Sequence, residues 1–208
     1  MTEALRLVVY DATQRFKKPL GLGLSWTLGG PLYRALGRVH AAFGASSLAS
    51  ALDWLAHYDG QRPIAEVQYW GHGKWGRVFL DRETLDRATL QPHHPLRPKL
   101  DAVRERLTQD ALIWFRTCET LGAQPGQDFA AALADYSGAR VAGHTFVIGY
   151  FQSGLHELSP GVAPHWLASE GLARGTAENP LLARLSGPHE PHTITCFTGQ
   201  IPAEARRG

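Results

Sequence analysis

The feature that most constrains the fold is the run Ala111–Thr117 (ALIWFRT), the most continuously apolar stretch of the chain. A run this short and this apolar suits a strand buried on both faces, as strands are in a parallel sheet covered by helices. Leu5–Tyr10 (LRLVVY) and Ile64–Trp70 (IAEVQYW) are also rich in β-branched and aromatic residues. They end on Asp11 and on Gly71-His72-Gly73. Between these strands lie segments with helical periodicity. Pro31 suits the first turn of a helix whose apolar residues are Leu32, Leu36, Val39 and Phe43. Ser46 or Ser47 caps a second helix carrying Leu48, Ala51, Leu52 and Leu55. Leu100, Val103 and Leu107 mark a third helix, reached through Pro98. Phe129, Leu133 and Tyr136 mark a fourth, stopped by Gly138. Strands alternating with helices at these spacings predict a three-layer α/β fold, a mostly parallel sheet with helices on both faces.

Shorter strands are expected at Arg77–Leu80, Ala139–Ala142, Thr145–Ile148 and Thr193–Thr198, and an irregular glycine-rich loop at Lys17–Gly30. From Phe151 to Pro191 the periodicity fails, which reads as long loops with a short helix near Trp166. There is no internal repeat and no linker. A single domain over residues 1–208 is expected, with an irregular C-terminal segment from about 151 to 208. A net charge of +2 gives no basic excess for nucleic acid or an anionic membrane surface. No apolar run approaches the ~18 residues of a membrane span. Met1–Asp11 lacks a charged-then-apolar leader, so a cytoplasmic protein is expected. The two cysteines, Cys118 and Cys196, read as free thiols in a reducing compartment.

Ligands bind beyond the carboxyl ends of the strands in an open parallel sheet. His72 follows one such strand and Cys118 another, with room for one helical crossover between them. If the strands are neighbours, imidazole and thiol meet on one rim. A thiol needs a base beside it to become a nucleophile at neutral pH, because its unperturbed pKa is ~8.5. Gly73 would let the backbone approach a substrate carbonyl. The amides of Gly73 and Cys118 then become candidate oxyanion donors. Glu119 disfavours a thiolate next to it, an effect that Arg116 could offset, and Trp75 is expected to crowd the cleft.

The segments Val67–Gly76 (VQYWGHGKWG) and Ile113–Gly122 (IWFRTCETLG) resemble the caspase-like fold of the clan CD cysteine peptidases, in which a His-Gly follows one strand and a Cys the next. The stretch from Cys118 to Gly149 is more specifically similar to the CHAT-like domain of unknown function found in large bacterial surface proteins. The matching residues are Gly126-Gln127-Asp128-Phe129, Leu133-Ala134 and Ser137-Gly138-Ala139-Arg140-Val141-Ala142. The resemblance covers about Ile64 to Gly149. It implies His72 as general base, Cys118 as nucleophile and Gly73 as an oxyanion donor, in a peptidase that needs no cofactor.

The expected function is therefore hydrolysis of a peptide or protein substrate through a thioester. Two other readings stand beside it. One is a catalytically silent module of the same fold that binds a protein partner. The other is acyl or amide transfer by the same Cys-His pair. Three remaining signals are weaker. Gly21-Leu-Gly23-Leu-Ser-Trp26 lacks the third glycine of a dinucleotide loop and does not follow a strand directly. His189, His192 and Cys196 have metal-like spacing, but no fourth ligand accompanies them and prolines interrupt them, so no metal is assigned. Ser153 lacks the first glycine of a nucleophile elbow. Trp26, Trp54 and Trp166 are expected in the core or the cleft wall.

Overall fold

A computed structural model describes residues 3–13, 22–60 and 62–206 of the chain. In chain order the elements are β1 (Leu5–Asp11), α1 (Leu22–Ala35), β2 (Ala41–Ala45), α2 (Leu48–His57), β3 (Ile64–Trp70), β4 (His72–Gly73), β5 (Val78–Leu80) and β6 (Glu83–Leu85). They continue with α3 (Arg97–Arg104), β7 (Leu107–Arg116), α4 (Ala123–Ser137), β8 (Arg140–His144), β9 (Phe151–Gln152), β10 (Leu155–Leu158), β11 (Leu172–Gly175), β12 (Pro180–Ala183) and β13 (Ile194–Thr195). The central sheet has the order β10-β8-β7-β3-β1-β2, parallel throughout except for β10, which runs antiparallel at one edge. The α/β architecture read from the sequence is thus the architecture found.

Alternation along the strands sorts side chains to two faces. Leu5, Leu7, Val9, Tyr69, Phe115 and Val141 point to one face, where α2, α3 and α4 cover them with Leu48, Leu52, Leu55, Leu100, Phe129 and Leu133. Full burial of such side chains contributes about 1.5–3 kcal/mol each. Val8 and Trp70 point to the other face, against Tyr33 of α1. Leu112 and Trp114 also lie there, packed on Ile194, Ile201 and Ala205 of the C-terminal segment. Helix α2 starts where Ser47 accepts from the Ser50 amide at 3.0 Å and Ser50 accepts from the Ser47 amide at 3.1 Å, a reciprocal cap. Helix α4 stops at Gly138, whose φ of 69° suits a residue without a Cβ.

Several local expectations are corrected. The stretch Leu22–Gly30, read as a loop, is helical, and Pro31 sits inside α1 rather than at its start. Val39 and Phe43 lie beyond the end of α1, and Ala41–Ala45 is the edge strand β2, paired with β1. Gly21, like the predicted loop residues before it, lies outside the described residues, as does the Trp26 side chain. Leu107 opens β7 instead of closing α3. Thr145–Ile148 forms only an isolated bridge, Val147 to Leu185. The region after Phe151 holds four short strands, and no helix forms at Trp166. One of those strands, β10, takes a place in the central sheet that periodicity missed. Among the described residues no helix is long and apolar enough to cross a membrane.

Candidate active site

Strands β3 and β7 are parallel neighbours, and their last paired residues are Trp70 and Arg116. His72 and Cys118 each stand two residues past that pair, on the segments that leave the carboxyl ends of these neighbouring strands, and His72 there enters β4, which pairs with β5 in a separate three-stranded sheet. The two rim loops are joined. The Trp75 amide donates to the Glu119 carbonyl at 3.0 Å and the Gly76 amide to the Thr120 carbonyl at 2.7 Å. Gly73 lies so close to the loop after the cysteine that a Cβ there would stand 2.0 Å from Thr120 Oγ1 and 2.9 Å from the Cys118 carbonyl oxygen. This contact by itself requires a residue without a Cβ. Gly73→Ala is expected to lower stability by about 1–3 kcal/mol in urea denaturation, the usual cost of forcing a methyl group into a filled site. A variant as stable as the parent would contradict the contact.

Cys118 is half-buried, with its sulfur 3.8 Å from the Ile148 carbonyl oxygen. Burial pushes the thiol pKa above its ordinary value and the Glu119 carboxylate adds to this, against backbone hydrogen bonds at Ile148 and Cys118. Burial likewise raises the Glu119 carboxyl, opposed by Lys74. One Glu119 oxygen is buried without a hydrogen-bond partner among the described residues. Burial and the neighbouring Glu119 carboxylate thus both favour the protonated thiol at rest.

Cys118 opens onto a cavity of about 490 Å³. Trp70, Tyr33, Leu32, Ile148, Tyr150 and Phe197 supply apolar walls, and Gly71, Gln152 and Cys196 also line it. His72 does not line it, although its neighbour Gly71 does. Trp75 does not crowd this cleft, because it lines separate grooves beside Pro125.

At the cavity wall lies Arg116, 5% exposed. Its Nε and Nη2 donate to Gln152 Oε1 at 3.1 and 2.8 Å. Its Nη1 donates to the Tyr33 hydroxyl oxygen and to the Thr198 carbonyl at 3.1 Å. Its Nη2 also reaches the carbonyls of Cys196 at 3.0 Å and Thr195 at 3.3 Å. The guanidinium carbon stands 4.7 Å from the Trp114 ring centre. Behind it, His144 is fully buried. Burial first, and the Arg116 cation next, hold its pKa down at about 3.

The remaining candidates are structural or dispersed. Ser153 is buried and bonded to Thr193 and to the backbone of Gly187. His192 packs on His156 at 5.0 Å between ring centres, whereas Cys196 lines the cavity. No group of three His, Cys, Asp or Glu that could hold a metal ion is found among the described residues. Trp54 stacks on Phe43, and Trp166 is buried. Sequence reasoning missed Tyr33, Gln152 and Cys196, which come from distant segments and carry no local pattern. For Arg116 a signal existed: a charge in the last turn of an otherwise apolar strand must find partners or a function.

A family model described as a domain of unknown function, DUF4347, matches residues 40–157. No curated protein matches the chain.

Proposed function

The chain belongs to the DUF4347 family, a domain of unknown function, and we propose, from its own residues, that it is a cysteine peptidase of the caspase-like kind. The observation that supports this reading is that β3 and β7 are parallel neighbours, so His72 and Cys118 follow the carboxyl ends of adjacent strands, with Cys118 lining a cavity. In the proposed reaction His72 accepts the Cys118 proton as sulfur attacks a peptide carbonyl, and the oxygen becomes an anion facing the amides of Gly73 and Cys118. The carbon–nitrogen bond breaks as His72 returns the proton to the leaving amine. Water, losing its proton to His72, then hydrolyses the thioester and frees Cys118. Because the resting thiol is protonated, His72 acts as a general base during attack rather than as half of a standing ion pair.

Cleavage of a mixed peptide library, followed by mass spectrometry, tests this. The parent protein is expected to cut a subset of peptides. Cys118→Ala and His72→Ala are each expected to reduce cutting at least ~100-fold, in line with loss of nucleophile or base. Cutting that persists in Cys118→Ala overturns the proposal. A second reading, a silent module that binds a partner, is favoured by the raised thiol and by the position of His72 outside the cavity lining. A parent protein that cuts nothing while remaining folded selects that reading.

A further inference from the structure

We propose that a groove on the His72 side of the rim is the subsite for the residue that follows the scissile bond, and that it selects a large apolar side chain there. The inference deepens the peptidase reading and rests on it for which part of a peptide enters the groove.

The pairing of β4 with β5 places the groove. His72 stands directly opposite Phe79 in that antiparallel pair, so their side chains share one face of the hairpin. Phe79, Trp75, Pro125, Pro180 and Leu181 wall a groove of about 370 Å³. None of these residues lines the cavity beside Cys118. Gly71 lines that cavity and Lys74 lines the groove, so the chain passes through His72 on its way from one to the other. The reaction then assigns the two spaces. Cys118 lines the cavity, so the acyl part of the peptide stays on that side. His72 must hand its proton to the leaving amine. The segment that carries this amine therefore departs past His72, along the face that His72 shares with Phe79.

The walls say which side chain fits. In the turn from Lys74 to Arg77 the Lys74 amide donates to the Arg77 carbonyl at 2.9 Å, and the Arg77 amide to the Lys74 carbonyl at 3.1 Å. The two residues between them, Trp75 and Gly76, have φ of 31° and 78°. Asparagine or glycine suits the first of these positions far better than tryptophan does. A strained position thus holds an indole that walls the groove, and such strain points to function. On the far wall, Leu181 of the β11–β12 hairpin is 66% exposed. The Gln124 amide donates to the Ala177 carbonyl at 2.9 Å and ties that hairpin to the start of α4. An apolar side chain lodged between Trp75, Phe79 and Leu181 leaves water itself and covers Leu181 as well. The charged groups of the lining, Lys74, Arg77 and Glu178, are exposed and of both signs. Apolar contact rather than charge therefore decides the choice.

Two readouts test this, one of them without chemistry. The first is NMR titration of the Cys118→Ala protein with H-Leu-Ala-Ala-NH2, H-Phe-Ala-Ala-NH2 and H-Gly-Ala-Ala-NH2, which mimic leaving fragments. It follows the Trp75 indole and Phe79 amide resonances. The tighter of the leucine and phenylalanine peptides is expected to bind at least about tenfold more tightly than the glycine peptide and to move both signals. The second uses the parent protein and the peptide library. New amino-termini are expected to carry Leu, Ile, Met or Phe about tenfold more often than Gly. Trp75→Asn suits the turn and Leu181→Asp lies at the surface, so both variants are expected to fold, and each to lose most of the preference. Binding of all three peptides within about twofold, no shift of either signal at about 10 mM peptide, or a preference that survives both substitutions overturns the inference. Apolar-selective binding in a protein that cuts no peptide sinks the peptidase reading alone. Cutting with no preference at the new amino-termini sinks the subsite alone.

Discussion

Arg116→Met is expected to destabilise the protein by about 3 kcal/mol, read as a lower urea midpoint with an unchanged slope. Methionine keeps the length of the side chain, so the cavity it leaves is small, and two other effects compete. Removing a buried cation relieves its desolvation. That relief is partial, because guanidinium is weakly hydrated to begin with. Against it, five acceptors lose their donor at once: Gln152 Oε1, the Tyr33 hydroxyl and the carbonyls of Thr195, Cys196 and Thr198. At about 1 kcal/mol for each net hydrogen bond, the lost donors win. The loss is also topological. Arg116 ends β7, whereas Thr195, Cys196 and Thr198 belong to the segment that crosses the face of the sheet. Tyr33 of α1 holds the same segment, donating to the Cys196 carbonyl at 2.7 Å. The segment 194–201 should therefore lose protection from hydrogen exchange before β3 and β7 do. A methionine variant of parental stability would show that the network is dispensable.

The second large effect comes from acid. His144 is fully buried, with Nδ1 3.2 Å from the Ser153 carbonyl oxygen, which fixes the neutral ring with its proton on Nδ1. Its folded pKa of about 3 lies below the unfolded value of 6.5. The unfolded chain therefore binds the proton first. The contribution is complete above pH 6.5 and is lost as pH falls through the window from 6.5 towards 3. Each pH unit within that window costs about 1.4 kcal/mol, so acidification to pH 4 removes about 3 kcal/mol. Glu66 and Glu119 act in the opposite sense, because burial raises both. Their folded forms take up protons more readily than the unfolded chain does. The comparison with His144→Asn isolates the histidine, since the Asn amide can still donate towards Ser153. The parent should lose stability relative to this variant from pH 6.5 downward. Parallel stability curves for the two proteins would contradict the assignment.

The architecture was legible where one physical signal dominated. Ile64–Trp70 and the core of β7 are apolar strands ended by glycine or by polar residues, and Ser47 and Gly138 bound their helices as caps should. It was illegible where tertiary pairing decided. Ala41–Ala45 is a strand because β1 offers it an edge, and Leu155–Leu158 because β8 does. Neither has a strong pattern of its own. Gly23, Gly29 and Gly30 suggested a loop, yet they lie in a helix packed close to the sheet, where a Cβ on Gly30 would stand 2.9 Å from Ala42 Cβ. Small residues there serve close approach rather than flexibility. The same division holds for the site. The rim positions of His72 and Cys118 follow from local sequence and strand adjacency. The cavity could not be read, because Tyr33, Arg116, Gln152 and Cys196 converge from four separate segments.

The most direct test of the central claim, that Cys118 and His72 act as one catalytic unit, is labelling with a library of peptidyl vinyl sulfones, followed by peptide mapping. The account predicts a single adduct on Cys118, formed at least ~100-fold more slowly in His72→Ala, with Cys196 unmodified. An adduct on Cys196, or labelling of Cys118 at the same rate without the His72 imidazole, would contradict it.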